Sequence, residues 1–289
     1  MEHTELLIVG AGAAGIAAAK AAAAAGCRSI VLADRGEAPG GVLPQCAHRG
    51  FAAGLSGQEY VMRLMEAFPT AVDYRPATTV TAITVEKTAR LVHRTLGETE
   101  LSFSQLILAS GCLEIPMGAL PIAGTRPRGV DTAGQMQARM NLHGHVPPGP
   151  AVILGSGDLG LIMAMHLAQA GVPVAAMVEQ KAACGGLARN RNALKPYHIP
   201  LRCGVTIREV LGSPDLEAVV LSDGTEIPCK TLLIAVGLRP DRTLVHGLEN
   251  APWLQLCGNC RTVHPMVEAV TEEGTQAGLD ACGRIRGGL

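Results

Sequence analysis

Two cysteines with a C-x-x-C spacing, Cys257 and Cys260, are the first residues whose types and spacing suggest chemistry. Such a pair can be a redox dithiol, or it can supply half of the ligands of a zinc or iron–sulfur site. No second ligand pair lies nearby in the sequence, and His264 adds one ligand at most, so we expect no metal here. The Gly258–Asn259 pair between the cysteines, just before a helix start near Pro265, favours another role: a backbone platform beneath a bound group.

Cys46 and His48 form a second candidate pair. A thiol there can form a mixed disulfide or a sulfenate, and the imidazole can act as a general acid. The alternative is a buried cysteine in a turn beside a histidine that only lines a pocket. No other cysteine lies between residues 40 and 60, so a paired-dithiol mechanism is not expected at this position.

The stretch ELLIVGAGAAGIAAAKAAAAAGCRSIVLADR carries a more specific pattern. An apolar run leads into a G-x-G-x-x-G turn and an alanine-rich helix, and a second apolar run ends in a carboxylate, as in dinucleotide-binding folds. The key positions are Gly10, Gly12, Gly15 and Asp34. Gly10 permits the tight turn, Gly12 lets a pyrophosphate approach the backbone, and Gly15 lets the helix pack on the strand. The amides at the start of the helix then face the phosphates.

The pattern recurs in PAVILGSGDLGLIMAMHLAQAGVPVAAMVEQ, at Gly155, Gly157, Gly160 and Glu179. A carboxylate at the end of the second strand can bind both ribose hydroxyls of an adenosine and repels a 2′-phosphate. Glu179 therefore favours NADH over NADPH, although Lys181 lies nearby and a simple solvated strand end is the alternative. Two such sites in one chain suit a bound flavin and a mobile nicotinamide, between which hydride can pass.

Composition excludes several other functions. The formal net charge is −1 and aromatic residues make up 2% of the chain, which argues against a nucleic-acid surface. The longest apolar stretch, residues 6–33, is interrupted by charges and glycines, so no membrane span is expected. The first residues lack a basic segment typical of a secretory signal, and nine scattered cysteines fit reduced thiols, so we expect a cytoplasmic protein.

The elements that position these residues predict an α/β fold with two Rossmann-like domains, each a three-layer ββα arrangement. Two further apolar strands end in glycine, SQLILASG at Gly111 and KTLLIAVG at Gly237. Short β segments fill residues 78–104, and a last strand and helix follow residue 250. The economical topology inserts the second domain, residues 116–243, into the first, which consists of residues 1–115 and 244–289.

With these motifs, the chain resembles the pyridine nucleotide–disulfide oxidoreductase superfamily, flavoproteins with two dinucleotide-binding folds. The stretches PGGVLPQCAHRGF, IAGTRPRGVDTAGQ, VILGSGDLGLIMA, CGGLARN and CGN…VHPMVEAVTEE are similar to a bacterial subgroup of FAD/NAD-dependent oxidoreductases. That subgroup is often encoded beside glycerol-3-phosphate dehydrogenase-like flavoproteins. The resemblance implies FAD in the first domain and NAD(H) in the second.

The resemblance also implies a role for individual residues. The helix near Pro265 would direct its N-terminal amides at the flavin pyrimidine, where reduction develops negative charge. Those expected to bind FAD are Gly10, Gly12, Gly15, Asp34, Arg35, Gly41, Val80, Thr81, Gly111, Gly258, Asn259, Met266 and Val267. Those expected to bind NAD(H) are Gly155, Gly157, Asp158, Leu159, Gly160, Glu179 and Gly237.

The expected function is an FAD-dependent oxidoreductase that passes hydride between NAD(H) and FAD, and then electrons to a second substrate or partner. One alternative is an electron-transfer subunit of a heteromeric dehydrogenase that acts on an amino acid, an opine or glycerol phosphate. Another is a non-catalytic flavin-binding assembly protein. A second flavoprotein or acceptor subunit, and homo- or hetero-oligomers, are compatible with the sequence; the second substrate is not derivable from it.

Overall fold

In the computed structural model, which describes residues 2–287 without the side chain of residue 53, the chain divides into two compact units. Unit 1 contains the residues up to Leu113 and those from Arg239 onward, and unit 2 is Glu114–Leu238. The sequence predicts the domain boundaries between residues 115 and 116 and between residues 243 and 244. Which unit holds which cofactor stays a prediction.

Unit 1 is built on a seven-stranded sheet with the order β3-β2-β1-β6-β5-β4, to which β18 is added by pairing with β6. Its N-terminal elements are β1 (Glu2–Val9), α1 (Ala13–Ala24), β2 (Ile30–Ala33), α2 (Gly57–Met65), β3 (Val72–Arg75), β4 (Thr78–Ile83), β5 (Thr88–His93), β6 (Gly97–Leu108) and β7 (Cys112–Glu114). The last two elements are β18 (Leu254–Leu256) and α6 (Val267–Gly287). Strands β3, β2, β1, β6 and β18 are parallel, whereas β4, β5 and β6 form an antiparallel meander.

Alternate residues of the parallel strands face two different layers. In β1, Leu6 and Ile8 pack against α1 and α6, whereas Leu7 packs with the meander residues Leu91 and Phe103. Because side chains alternate across a strand, a continuous apolar run such as residues 6–9 is expected where both faces are covered. The central parallel strands of unit 1 are therefore buried on both sides.

Unit 2 contains a five-stranded parallel sheet, in the order β12-β11-β10-β16-β9, and a smaller four-stranded sheet, β15-β14-β13-β8. Its elements are β8 (Ala123–Gly124), β9 (Val130–Thr132), α3 (Ala133–His143), β10 (Ala151–Leu154), α4 (Asp158–Gln169), β11 (Val174–Glu179), α5 (Ala188–Leu194), β12 (Leu201–Cys203), β13 (Ile207–Leu211), β14 (Ala218–Leu221), β15 (Glu226–Pro228) and β16 (Thr231–Ile234). A short strand β17 (Leu238–Pro240) leads back to unit 1.

The layers of unit 2 repeat those of unit 1. Val152 and Leu154 of β10 pack with the small sheet, whereas Ile153 packs with α3 and α4. Each unit thus has helices, a parallel sheet and a β-meander, so the expected α/β fold with two three-layer units is confirmed. Within residues 2–287, no helix is both long and apolar enough to cross a membrane.

The C-terminal part of unit 1 differs in detail from the expected strand and helix. The strand is limited to β18, and residues 258–260 form one turn of 3-10 helix before α6 begins at Val267. The connection before β18 is packed: Val245 is fully buried, and the ring of Trp253 meets Phe103 edge-on at 5.3 Å between centroids. The connection between β17 and β18 therefore contributes to the core of unit 1.

Candidate functional site

The first glycine turn, residues 10–15, joins β1 to α1 in unit 1. Gly10 has a φ of +104°, and a Cβ there would lie 2.4 Å from the carbonyl oxygen of Ala109. A Cβ on Gly15 would lie 1.8 Å from the carbonyl oxygen of Gly10. The fold itself therefore requires glycine at both positions.

Gly12 is different, because nothing in the protein requires glycine there. It caps α1 with a φ of −77°, which any residue adopts, and a Cβ would meet no atom within 4 Å. Open space beside the first amides of a helix, with no acidic residue in its first turn, suits an anionic pyrophosphate. The turn thus fits the dinucleotide that its motif predicts.

Asp34 closes this turn at the end of β2. Its carboxylate accepts hydrogen bonds from the N–H of Ala11 at 2.5 Å and from the N–H of Gly36 at 2.6 Å. Each carboxylate oxygen keeps acceptor capacity for a ribose hydroxyl. The neighbouring Arg35 is exposed.

The Gly40–Gly41 pair runs alongside the same turn. The N–H of Gly40 donates to the carbonyl of Ala11 at 2.7 Å, and a Cβ on Gly41 would lie 3.3 Å from the Cα of Gly12. The structure thus brings Gly41 together with the other predicted residues of the turn.

Val80 and Thr81, which are also expected to bind FAD, lie farther along β4. Val80 is buried in the core, and Thr81 is exposed and donates its hydroxyl to the carbonyl of Arg90 at 3.3 Å. The bond between the start of β4 and Asp34 is made by Thr78, whose N–H donates to the Asp34 carbonyl at 2.7 Å. Sequence reasoning did not single out Thr78.

Gly258 and Asn259 lie in the turn after β18, and Gly258 is pressed against α1. A Cβ on Gly258, which has a φ of +67°, would lie 2.8 Å from the Cβ of Ala14. The Asn259 side chain accepts from the N–H of His264 at 3.0 Å. At the predicted Gly111, φ is +78° and a Cβ would meet nothing within 4 Å.

Glu273 of α6 holds this turn in place, a role that sequence reasoning missed. Its carboxylate accepts from the Gly258 N–H at 3.1 Å, from Arg261 at 2.6 Å, and pairs with Nε2 of His264 at 2.6 Å. Burial alone would raise the pKa of Glu273, but the hydrogen bonds from His264 and Arg261 outweigh it, so the pKa is lowered. An ionised carboxylate therefore fixes the predicted flavin platform.

Helix α6 approaches the first glycine turn closely because it presents small residues to α1. A Cβ on Gly274 would lie 2.2 Å from the carbonyl oxygen of Ala14, and one on Gly278 would lie equally close to that of Ala18. At the helix start, Met266 is 38% exposed and Val267 is partly buried. Glu268, in the first turn, accepts a hydrogen bond from the N–H of Ala52 at 3.0 Å.

Cys46 and His48 lie in the segment between β2 and α2. The S–H of Cys46 donates to the carbonyl of Val42 at 3.4 Å, and burial raises its pKa to about 11. A thiol with a raised pKa is a poor nucleophile near neutral pH. The imidazole of His48 stacks on Phe51 with centroids 5.0 Å apart. These features favour the pocket-lining interpretation of both residues.

Cys257 and Cys260 are both completely buried, on opposite faces of the unit 1 sheet. The S–H of Cys260 donates to the carbonyls of Leu108 at 3.0 Å and Cys257 at 3.2 Å, so Cys260 is a packed core residue. Burial raises the pKa of both thiols. Among residues 2–287, no cluster of His, Cys, Asp or Glu has the geometry of a metal site.

The second glycine turn, in unit 2, repeats the first. Gly155 has a φ of +105°, and a Cβ there would lie 2.3 Å from the carbonyl oxygen of Ala235. A Cβ on Gly160 would lie 2.4 Å from the carbonyl oxygen of Gly155. Gly157, at the start of α4, has a φ of −67° and no atom within 4 Å of a hypothetical Cβ. The second turn therefore has the same open space at its middle glycine.

Glu179 occupies the position that Asp34 has in unit 1. It accepts hydrogen bonds from the N–H and the hydroxyl of Ser156, at 2.9 and 2.6 Å, and from the N–H of Lys181 at 3.0 Å. Burial would raise the pKa of Glu179, but these bonds outweigh it and lower the pKa. Glu179 is therefore ionised beside the second glycine turn.

A segment after Glu179 covers the start of α4. The N–H of Gly185 donates to the Ser156 hydroxyl at 2.8 Å, and Oδ1 of Asp158 accepts from the Leu187 N–H and the Asn190 amide, both at 2.7 Å. Leu159 is partly buried against the helix layer. Gly237, with a φ of +142°, follows β16 and has only Ile115 within 4 Å of a Cβ.

A spacing in the sequence could have revealed this cover. The carboxylate of each strand end is followed, after five residues, by a Gly-Gly pair: Gly40–Gly41 after Asp34, and Gly185–Gly186 after Glu179. In both units the pair lies against its own glycine turn. The internal repeat is therefore longer than the glycine motif.

Comparisons with known proteins agree with this geometry. The family model described as "Pyridine nucleotide-disulphide oxidoreductase" matches residues 4–267. An opine oxidase subunit of Agrobacterium tumefaciens (strain Ach5) is 32% identical over 272 residues, which is 83% of this chain and 53% of that protein. The alpha subunit of a sarcosine oxidase of Rhizobium meliloti (strain 1021) is 28% identical over 63% of this chain and 20% of its own length.

The fold has close structural counterparts. A crystal structure of thioredoxin reductase from T. acidophilum superposes with a TM-score of 0.79 and 17% identity, over 98% of this chain and 99% of that one. At this identity the likeness concerns the fold alone. The chain spans about half the length, or less, of the opine oxidase and sarcosine oxidase relatives.

Proposed function

Because this chain belongs to the pyridine nucleotide-disulphide oxidoreductase family, we propose that it passes hydride between NAD(H) bound in unit 2 and FAD bound in unit 1. The observation that carries the proposal is the repeated glycine turn, in which Gly12 and Gly157 leave open space that the fold does not need. The cofactors supply the hydride chemistry when bound, and the chain binds and orients them. Electrons then reach a second substrate or a partner protein.

In unit 1, the FAD proposal is supported by the residues that gather around the first turn. Asp34 presents acceptors for the ribose of the ADP half, and Gly41 lies beside Gly12. Glu273 fixes Gly258, which places Asn259 and the start of α6 on the same side of α1. These contacts support a site for the whole length of a dinucleotide.

We assign NADH, in preference to NADPH, to unit 2 because of Glu179. Its carboxylate is ionised and fixed at the end of β11, where it would accept from ribose hydroxyls and repel a 2′-phosphate. Lys181 is exposed, and its backbone N–H donates to Glu179. The strand end therefore presents an ionised carboxylate, with the Lys181 side chain close enough to help lower its pKa.

The cysteines do not support disulfide reduction as the activity. The only C-x-x-C of the sequence, at residues 257 and 260, is completely buried and bonded to backbone carbonyls. Cys46 is single in its segment, and its pKa is raised. The proposal therefore assigns no dithiol relay to Cys257 and Cys260, and none to Cys46.

A second candidate function, compatible with the first, is a subunit of a larger oxidase. The two relatives described above both carry "subunit" in their names, one an opine oxidase and one a sarcosine oxidase. A neighbouring flavoprotein that oxidises an amino acid, an opine or glycerol phosphate would then be the electron donor. Affinity purification of the chain together with its encoded neighbours tests this; full NADH-linked turnover of the physiological substrate by the chain alone would exclude the subunit role.

The test of the main proposal is a visible spectrum of the purified chain followed by anaerobic titration with NADH and, separately, NADPH. We expect a bound flavin that NADH bleaches at lower concentration than NADPH. A flavin that neither nucleotide reduces would leave the non-catalytic, flavin-binding alternative. Glu179→Ala is expected to bring the NADH and NADPH concentrations that bleach the flavin closer together, with the flavin content unchanged.

A further inference from the structure

Ser156 lies between the first two glycines of the second turn, and its buried hydroxyl makes two contacts. The O–H donates to Oε2 of Glu179 at 2.6 Å, and the oxygen accepts from the N–H of Gly185 at 2.8 Å. A serine hydroxyl has one donor and two acceptor lone pairs, so both bonds form at once. The hydroxyl therefore joins the carboxylate at the end of β11 to the segment that covers the start of α4.

The corresponding position of unit 1 is Ala11, which has no hydroxyl. There the backbone makes both contacts: the N–H of Ala11 donates to Asp34 at 2.5 Å, and its carbonyl accepts from Gly40 at 2.7 Å. A glycine turn of this shape thus forms without a hydroxyl at its second residue. The hydroxyl of Ser156 is an addition in unit 2 alone, and its effect falls on the Glu179 carboxylate.

The hydroxyl determines which acceptor of Glu179 remains for a ligand. Oε2 accepts from the N–H and the hydroxyl of Ser156, whereas Oε1 accepts from the N–H of Lys181 alone. Each carboxylate oxygen has two lone pairs, so Oε2 is filled and Oε1 keeps one place. The side chain of Glu179 is partly exposed. The expectation of a carboxylate that binds both ribose hydroxyls is therefore narrowed to one hydroxyl, at Oε1.

We propose that Ser156 is a positioning residue for nucleotide specificity: its hydroxyl holds the Glu179 carboxylate so that Oε1 accepts from one adenosine ribose hydroxyl and the charge repels a 2′-phosphate. This inference rests on the proposed NAD(H) site of unit 2. Ser156 acts through Glu179 and does not itself touch the nucleotide. Without the hydroxyl, the long side chain of Glu179 regains rotamer freedom and turns away from a phosphate.

The hydroxyl also favours the charged form of Glu179. Burial alone would raise the pKa of Glu179, and the hydrogen bond from the Ser156 hydroxyl contributes most to lowering it. The Lys181 side chain lowers the pKa of Glu179 further. Cys203, the partner of Glu179 on β12, is uncharged at neutral pH because burial raises its pKa. Loss of the hydroxyl therefore raises the pKa of Glu179, so the repelling charge disappears at a higher pH.

The experiment measures the dissociation constants of NAD⁺ and NADP⁺ by calorimetry on the full chain with its flavin, from neutral pH down to about pH 5. In Ser156→Ala, we expect the preference for NAD⁺ to fall about tenfold at neutral pH. It should also disappear at a higher pH than in the wild-type chain. In a Glu179→Ala background, the same substitution should change the preference by less than about twofold.

Thr231→Val is the matched control, because it removes another buried hydroxyl of unit 2, which donates to the carbonyl of Pro148 at 2.8 Å. Its preference and pH profile should equal those of the wild-type chain. If Ser156→Ala does not fold, Ser156→Cys carries the test, because a thiol is a weak donor. Its preference for NAD⁺ should also fall.

The outcomes separate the two proposals. A wild-type chain that binds neither nucleotide overturns the proposed function. A wild-type chain that prefers NAD⁺, with the same preference and pH profile in Ser156→Ala, overturns the role of Ser156. An equal loss of preference in the presence and in the absence of the Glu179 carboxylate also overturns it, because Ser156 would then not act through that group.

Discussion

Gly157→Ala should leave the fold of unit 2 intact and still weaken NADH binding. The backbone at Gly157 has a φ of −67°, and a Cβ would meet nothing within 4 Å. Alanine is a poorer helix cap than glycine by roughly 0.5–1 kcal/mol, but it lowers the entropy of the unfolded chain by about 0.4–1 kcal/mol. Because the two effects oppose each other, we expect the free energy of unfolding to change by less than about 0.5 kcal/mol.

Binding should respond strongly to the same methyl group. It occupies the space through which a pyrophosphate reaches the first amides of α4, so at least one hydrogen bond to a charged group is lost. Such a bond contributes about 1.5–3 kcal/mol, which raises the dissociation constant of NADH roughly ten- to hundredfold. Anaerobic flavin reduction at increasing NADH concentration measures this: half-saturation should rise, with the limiting rate and the FAD content unchanged.

Gly160→Ala is the matched control for steric strain. Its Cβ would lie 2.4 Å from the carbonyl oxygen of Gly155, a backbone atom that can move only with the turn. Overpacking of this kind costs about 1–3 kcal/mol, so the melting temperature should fall, whereas Gly157→Ala should melt like the wild-type chain. If Gly157→Ala binds NADH as tightly as the wild-type chain, the pyrophosphate does not rest on this turn and the reasoning is refuted.

Three further predictions concern unit 1. Gly12→Ala, which is also free of clashes, should raise the dissociation constant of FAD at least tenfold and leave the melting temperature unchanged. Flavin absorbance after gel filtration measures the loss of FAD. Cys260→Ser should keep NADH-linked turnover within about twofold, because a serine hydroxyl can donate to Leu108 as the thiol does; loss of turnover with FAD still bound would restore the dithiol interpretation. Glu273→Gln should lower the free energy of unfolding by about 2 kcal/mol near neutral pH, since Arg261 and His264 lose an ionised acceptor. The folded pKa of Glu273 is below its ordinary value of 4.5, so this difference should shrink as pH falls through that lowered value; a constant difference in urea unfolding across that range would contradict it.

Local backbone requirements made most of the fold predictable from the sequence. Gly10 and Gly155 must adopt positive φ, and Gly15 and Gly160 must admit a neighbouring backbone, so their spacing is visible in the sequence alone. The apolar runs around them predict strands covered on both faces, as found in β1 and β10. These features depend on residues close together in the chain.

Much of the candidate site could not be predicted because it depends on contacts between distant parts of the chain. Glu268 bonds to Ala52 across 216 residues, and no spacing in the sequence indicates that pair. Glu273 looks like one more acidic residue of a polar helix until the turn at Gly258 is placed beside it. The C-x-x-C spacing of Cys260 suggests a dithiol, and the burial that argues against that role is not visible in the sequence. The Gly-Gly pairs after Asp34 and Glu179, by contrast, are visible in the sequence and could have predicted the segments that lie against the two turns.

The two glycine turns are alike in shape but not in charge, and this difference supports the proposed division of cofactors. Helix α1 has no acidic residue in its first turn, so its positive end is available in full to a pyrophosphate. Helix α4 begins with Asp158, whose carboxylate offsets that end and holds the covering segment through Leu187 and Asn190. A stronger anion site suits a cofactor that is retained, and a weaker one suits a nucleotide that must leave after each turnover. The positions that best distinguish the two sites are therefore Ala13 and Asp158, the first residues of their helices.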